Sequence, residues 1–449
     1  MKTASEQTQT SPVGTGDIRR RLLKLAVPSA LANLAVPLAG IIDIAMLGHL
    51  GNIDHMAGVE LSAVLFDYVY WTFGFLFMAT QGLTAQALGR RDPAEAQLVL
   101  YRALVVSGAI AVVLLLLRVP LGRLGFAILS GTQGVEASGL TYFDARIWGA
   151  PAVLANFAFH GWYLARERPT LVLAMTALGC AANVLLDYVF IYRFGMASRG
   201  AGLATMASQY LMLAFALGWL LRLRIPVPSK LGQILAAKEL RAMLRLNRDI
   251  MLRTLCLVTS FATFTNISAI FGTVVLAANA ILINLLAVAA YFIDGLAFGT
   301  QSLAGIFKGS GDRRALDGLL RTAMWWAEFV GLGIVMALWL FPEPLYALIT
   351  SHANVVEQSV RYTPWMQATL IIGALAYIYD GYFIGLTAGP TVRNAMFISL
   401  LAFLVPATVA WQLGSNHILW LAMVCFMTAR VATLGASRRR VLDKLGADA

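Results

Sequence analysis

Charged residues are scarce in this chain. Lys, Arg, Asp and Glu make up 13% of its 449 residues, while 59% are hydrophobic, and the mean hydropathy is +0.73. A soluble domain carries about 25% charged residues, so a water-soluble fold of this size has nowhere to hide its apolar surface. Cysteine is nearly absent. Cys180, Cys256 and Cys425 all fall inside apolar runs, and an odd number with none in a loop gives neither a disulfide framework nor a metal cluster. No P-loop, HExxH or GxSxG string occurs, which removes the common nucleotide, zinc and serine chemistries and argues against an enzyme or a cofactor. No short apolar core precedes a small-residue cleavage site near the start, so the first residues resemble neither a secretory leader nor a transit peptide. The polar N-terminal stretch reads as a disordered tail, and the first apolar run is retained as helix 1.

What the chain does have is a series of apolar runs of about 20 residues, each long enough to cross the ~30 Å hydrocarbon layer. Backbone groups in lipid must pair internally, and runs such as VLYRALVVSGAIAVVLLLL do not alternate as barrel strands do. The fold class is therefore all-α integral membrane, with about twelve transmembrane helices. The expected spans are 22–48, 57–88, 97–118, 140–165, 170–192, 201–222, 248–271, 274–307, 319–341, 362–387, 392–412 and 416–435. The segment near 223–247 is different: Leu231, Ile234, Leu235, Leu240, Met243 and Leu244 alternate with Lys230, Lys238, Arg241 and Arg245. That spacing predicts a basic interfacial helix in the headgroup plane. It divides the chain into two six-helix lobes, 1–229 and 230–449.

The net charge of +11 reads as topology and not as a nucleic-acid footprint. With both termini in the cytoplasm, Arg19, Arg20, Arg21, Lys24, Arg90, Arg91, Arg166, Arg168, the central cluster, Lys308, Arg313, Arg314, Arg393 and Arg438 to Arg440 all fall inside. The other face keeps Arg118, Arg123, Arg146, Arg193, Arg199 and Arg361. This bias fits a multi-pass protein of a bacterial inner membrane, in contact with membrane lipids.

The two halves repeat. ATQGLT at 79–84, followed by Gly89 and Asp92, matches GTQSLA at 299–304, followed by Gly309 and Asp312, at a constant offset of 220 residues; Pro169-Thr170 matches Pro390-Thr391. Each half holds six spans, so both enter from the same side and the repeat is parallel.

Ionisable groups inside a bilayer are functional by default. Asp43 in helix 1 and Asp187 in helix 5 lie at similar depth, given the ~1.5 Å rise per residue. Asn183 sits one turn before Asp187 on the same face, and Thr205 opens helix 6. These four residues are the candidate cation-coupling or proton site, because two neighbouring buried carboxylates resist carrying two negative charges. Asp294 and Asp380, each followed by a GxxxG, either line a second-lobe cavity or brace it. Asp67 and Glu328 are weaker candidates. Met46, Phe73, Phe77, Met175 and Met206 are candidate substrate-cavity residues, since Met and aromatic side chains build adaptable apolar walls. Pro28 and Pro37 interrupt helix 1 and are candidate hinges, each leaving a carbonyl without its helical partner.

The GLTAQA string at 82–87, NVLLD at 183–187, DGYFIG at 380–385 with Arg393-Asn394, and the segment from Gly414 to Leu421 together resemble the multidrug and toxic compound extrusion (MATE) family, and within it the DinF branch. The resemblance spans essentially the whole chain. It implies a helix 1 aspartate that couples cation movement and lies near bound drug, matched by Asp43, with a network matched by Asn183, Asp187 and Thr205. The NorM-like branch instead uses a helix 7 glutamate and a helix 10 aspartate; helix 7 here has no glutamate from Arg253 onward. The function implied is a monomeric secondary antiporter that exports amphipathic or cationic organic compounds in exchange for protons. The alternatives are sodium as counter-ion, or a flippase for lipid-linked precursors, which needs basic residues in its cavity.

Overall fold

A computed structural model describes residues 15–50, 52–129, 131–223, 231–341, 345–346 and 349–447. The polar tail over 1–14 and the lobe boundary at 229/230 lie outside them. The described chain is helical. In the first half, α1 is Thr15–Gly48, α2 Ile53–Thr72, α3 Phe75–Gly89, α4 Pro93–Leu116, α5 Arg118–Leu129, α6 Gln133–Arg146, α7 Ala150–Ala165, α8 Pro169–Asp187 and α9 Ala197–Arg222. After a short α10 (Leu231–Ile234) come α11 (Ala237–Ile270), α12 (Thr273–Gly309), α13 (Arg313–Leu340), α14 (Ala353–Gly385), α15 (Gly389–Leu413) and α16 (Asn416–Ala447).

Eleven of the described helical stretches are long and apolar enough to cross a membrane. The remaining expected span, 140–165, is filled by α6 and α7, joined through a 3-10 turn at Ile147–Gly149. One expectation changes. The basic segment does not form a separate interfacial helix, because α11 runs unbroken from Ala237 to Ile270. Lys238, Arg241 and Arg245 occupy the first turns of a crossing helix that packs on α3, and Lys230 lies outside the described residues.

The repeat is visible in the packing. In the first half α1 packs on α8, α8 on α9 and α3 on α7; in the second α11 packs on α15, α15 on α16 and α12 on α14. Single contacts repeat as well. A Cβ at Gly161 would stand 2.3 Å from the Phe77 carbonyl oxygen, and one at Gly381 would stand 2.4 Å from that of Ala297. Both are small-residue crossings that bring two helix backbones together. Asp92 caps α4 by accepting from the Glu95 N–H at 2.9 Å, and Asp312 caps α13 by accepting from the Ala315 N–H at 2.9 Å.

The halves meet through α1, α3, α11 and α12. At the basic end, Gln81 Nε2 donates to the Phe298 carbonyl at 2.8 Å and to Ser302 Oγ at 2.7 Å, while Gln301 Nε2 donates to the Met78 carbonyl at 2.7 Å. Gly89 and Gly309 then pass so closely that a Cβ on either would lie 2.9 Å from the other's Cα. Arg21 of α1 donates to Glu167 at 2.6 Å beyond this crossing and lies over the Phe307 ring. The basic ends of the two halves are thus sealed against each other.

Candidate functional site

Asp43 and Asp187 come together. α1 is tied to the outer part of the α8 segment by two bonds: Tyr192 Oη donates to the Met46 carbonyl at 2.7 Å, and Cys180 Sγ donates to the Ala35 carbonyl at 3.5 Å. Between these ties the two carboxyl groups lie within hydrogen-bonding reach of each other. Asp43 is 8% exposed and Asp187 fully buried. Among the described residues, neither oxygen of Asp187 nor Oδ1 of Asp43 has a hydrogen-bond donor. Ionised carboxylates only accept, and two of them buried side by side oppose a shared double negative charge. Directly after Asp187 the helix widens into a π-turn, Tyr188–Arg193, a local irregularity found often at functional sites.

Asn183 and Thr205 join the same locus. Asn183 Nδ2 donates to Thr205 Oγ1 at 3.5 Å, and Thr205 Oγ1 donates to the Ala201 carbonyl at 3.0 Å. Two residues unforeseen from the sequence extend the network. Tyr142 reaches Thr205, and its hydroxyl accepts from Arg146 Nη1 at 2.9 Å. Arg146, counted above among the arginines of the other face, stacks over the Phe66 ring at 4.4 Å, within electrostatic reach of Asp43 and Asp67. The signal for it was the Tyr-x-x-x-Arg spacing at 142–146, which puts both side chains on one helix face.

The second half is organised differently. Asp380 is 4% exposed. Its Oδ2 accepts from Arg253 Nε at 2.9 Å, from Arg253 Nη2, and from Arg430 Nη2 at 2.5 Å. Arg253, Asp380 and Arg430 thus tie α11, α14 and α16 together inside the bilayer region. Asp380 is therefore a brace between three helices. The two arginines went unseen because each lies near the end of its expected span, where a basic residue reads as a surface anchor. Asp294 is partly exposed, within electrostatic reach of this cluster, and Tyr291 lies near both Asp294 and Asp67.

The apolar candidates divide. Met46, Phe73, Phe77 and Met206 are partly exposed, and Phe77 meets Phe298 of the other half edge-on at 4.8 Å. Met175 is fully buried in a core with Val172 and Met212, so it packs the first half. Pro28 and Pro37 both lie within a continuous α1. Beside Pro37, Val36, Leu38 and Ile41 are 60%, 58% and 61% exposed, an apolar face of the kind a spanning helix turns to lipid.

Two symmetry-related halves with a buried carboxyl pair in one of them make a carrier's architecture. The MatE family model matches residues 28–189 and 250–411, once in each half. The chain belongs to the MatE family. It is a multi-pass membrane protein of the MATE multidrug efflux family, a transporter and not an enzyme. It is 32% identical to "DNA damage-inducible protein F" of Escherichia coli (strain K12), over 94% of this chain and 92% of that protein, as the DinF-like strings led one to expect. It is 26% identical to "Probable multidrug resistance protein NorM" of Thermotoga maritima, over 76% of this chain and 75% of that protein. Among solved structures, an "outward-facing conformation of a multidrug resistance MATE family transporter" superposes with a TM-score of 0.86 at 20% identity, over 96% of this chain and 97% of that one. A MATE structure "in the bent conformation" superposes with 0.85, also at 20% identity, over 96% and 98%.

Proposed function

We propose that this MATE transporter is a proton-coupled antiporter that exports amphipathic organic cations across a bacterial inner membrane, with both termini in the cytoplasm. The observation that carries the reading is the Asp43–Asp187 contact: two facing carboxyls without a donor between them. When a proton occupies the pair, one negative charge is cancelled and the contact is satisfied. When the proton leaves, the net negative site attracts an organic cation entering past Met46, Phe73 and Phe77. Proton and drug compete for one charge, and exchange follows if only occupied states rock between the two faces. The basic ends, on the cytoplasmic side in this topology, are sealed, so the arrangement corresponds to a site open away from the cytoplasm. Pro37 lies in α1 six residues before Asp43, where the helical hydrogen bond it cannot make lets the outer part of α1 bend and carry the acid with it.

Arg253 and Arg430 do not supply the basic cavity that a lipid-linked precursor flippase needs, because both are spent on Asp380. The test is efflux from proteoliposomes of the monomeric carrier under an imposed proton gradient or an imposed sodium gradient. Export driven by the proton gradient alone supports the proposal; export driven only by sodium overturns the choice of counter-ion.

A further inference from the structure

We propose that the groove between α3, α4 and α11 binds one anionic phospholipid of the leaflet on the basic side, and that this lipid bridges the two halves of the transporter. The groove has a volume of about 420 Å³ and an almost wholly apolar lining, with Phe75, Val106 and Ile110 from the first half facing Leu244 and Met251 from the second. That volume is in the range of sites that hold one small ligand, ~300–1,000 Å³. Such a wall suits an acyl chain.

Two polar features say what the chain must be attached to. Asn247 lines the groove, is 3% exposed, and has no partner for either its Oδ1 or its Nδ2 among the described residues. A buried amide left unpaired is costly, and this one offers both a donor and an acceptor beside the apolar wall. The ester and glycerol oxygens of a phospholipid meet the donor at that level. The second feature is a row of arginines. Arg241, Arg245 and Arg248 follow one another at helical spacing along α11, all exposed, on the face next to Leu240, Leu244 and Asn247. Arg248 lies on the groove and donates to Asp249 at 3.1 Å, but Arg393 donates to the same carboxylate oxygen at 2.8 Å. Two guanidiniums share one negative charge, and an excess positive charge stays at the mouth. No ion-pair partner is found for Arg241 or Arg245 among the described residues. Basic rows at this level attract anionic headgroups, and the same charge repels an organic cation, so the transported compound is not the occupant.

The groove takes its walls from both halves, so its width depends on how they are set against each other. An occupied groove favours the arrangement in which the basic ends are sealed.

The probes are phosphatidylglycerol and phosphatidylcholine with identical acyl chains, titrated into the full-length protein in detergent and read by native mass spectrometry. The wild type is expected to hold one phosphatidylglycerol and to prefer it over phosphatidylcholine by at least about tenfold. Arg241→Gln/Arg245→Gln should weaken phosphatidylglycerol by about thirtyfold and leave phosphatidylcholine unchanged. Ala109→Trp, which fills the groove from the α4 side without altering charge, should release both lipids. Equal affinity for the two headgroups means an ordinary annular lipid and overturns the proposal. So does full retention of phosphatidylglycerol by Ala109→Trp, or displacement of the lipid by a cationic dye. Should the double arginine variant not fold, the headgroup comparison on wild type and the Ala109→Trp result still decide.

Discussion

Gln81 and Gln301 are bonded across the seal in mirror fashion: each donates its side-chain amide to the carbonyl three residues before the other, Phe298 and Met78. The two glutamines stand 220 residues apart, and so do their acceptors. A single pseudo-twofold relation therefore organises the closed end. Each bond joins a side chain to a backbone that itself moves as one unit, so the pair acts on the relative position of the halves.

Replacing either glutamine with leucine removes its donors, while the Phe298 and Met78 carbonyls keep their places in their own helices. A neutral hydrogen bond contributes about 1 kcal/mol, so the bonds across the seal together contribute about 2 kcal/mol. Gln81→Leu/Gln301→Leu should therefore shift the population away from the sealed state by at least about thirtyfold. Spin-label distances between positions on α3 and α12 near Arg90 and Lys308 should lengthen. An unchanged distance distribution would mean that the seal rests on other contacts.

The glycine crossing gives a steric version of the same experiment. A Cβ at Gly309 would stand 2.2 Å from the Gln86 carbonyl oxygen, whereas one at Gly108 meets nothing within 4 Å. Gly309→Ala should open the basic ends and reduce transport, and Gly108→Ala should do neither. The check is accessibility of a cysteine at Arg90 to a polar maleimide, with faster labelling expected in Gly309→Ala only.

Asp380 belongs to the stability of the second half. Removing one partner of a buried ion pair costs about 3–5 kcal/mol because the remaining charge is stranded, and here two arginines lose their carboxylate. Asp380→Asn should lower thermal stability and membrane yield sharply. The molecules that do fold should keep proton-driven efflux better than Asp43→Asn at matched protein amounts. If Asp380→Asn instead folds with unchanged stability and loses coupling, the cluster carries the cation and the brace reading is wrong.

The parts of this architecture that were legible in the sequence are those encoded by local length or by repetition. Span positions follow from how far an apolar run extends, and the two-halves plan shows in Gln81 and Gln301. The acid pair was legible for a third reason: Asp43 and Asp187 are costly where they sit and lie at one depth. What failed needed a tertiary partner. Arg253 and Arg430 look like anchors until Asp380 is seen between them. The spacing of Leu240, Leu244 and Arg241, Arg245 suits a surface helix equally well as the start of a crossing helix with one face on α3 and the other toward headgroups. Met175 carries no mark that separates a core methionine from a cavity one.

The decisive prediction concerns the acid pair itself. Asn at position 43 is nearly isosteric with the protonated aspartate, and its amide can donate to the Asp187 carboxylate, which otherwise has no donor among the described residues. Asp43→Asn should therefore fold at least as stably as wild type, since the contact no longer depends on a bound proton. It should nevertheless lose transport, because the position can neither release a proton nor expose a charge to the drug. Asp187→Asn leaves Asp43 ionisable beside a permanent donor. It should impair efflux less completely and bind an organic cation more weakly than wild type, because half of the site's negative charge is gone. Thermal melts, equilibrium binding of a fluorescent cation and proton-gradient-driven efflux in proteoliposomes separate the outcomes. Stable Asp43→Asn protein with background efflux is the result that exchange at this pair requires. Stable Asp43→Asn with wild-type efflux would make the pair a packing contact and remove the basis for proton coupling. A strongly destabilised Asp43→Asn would show that Asp43 serves the fold through bonds the amide cannot make.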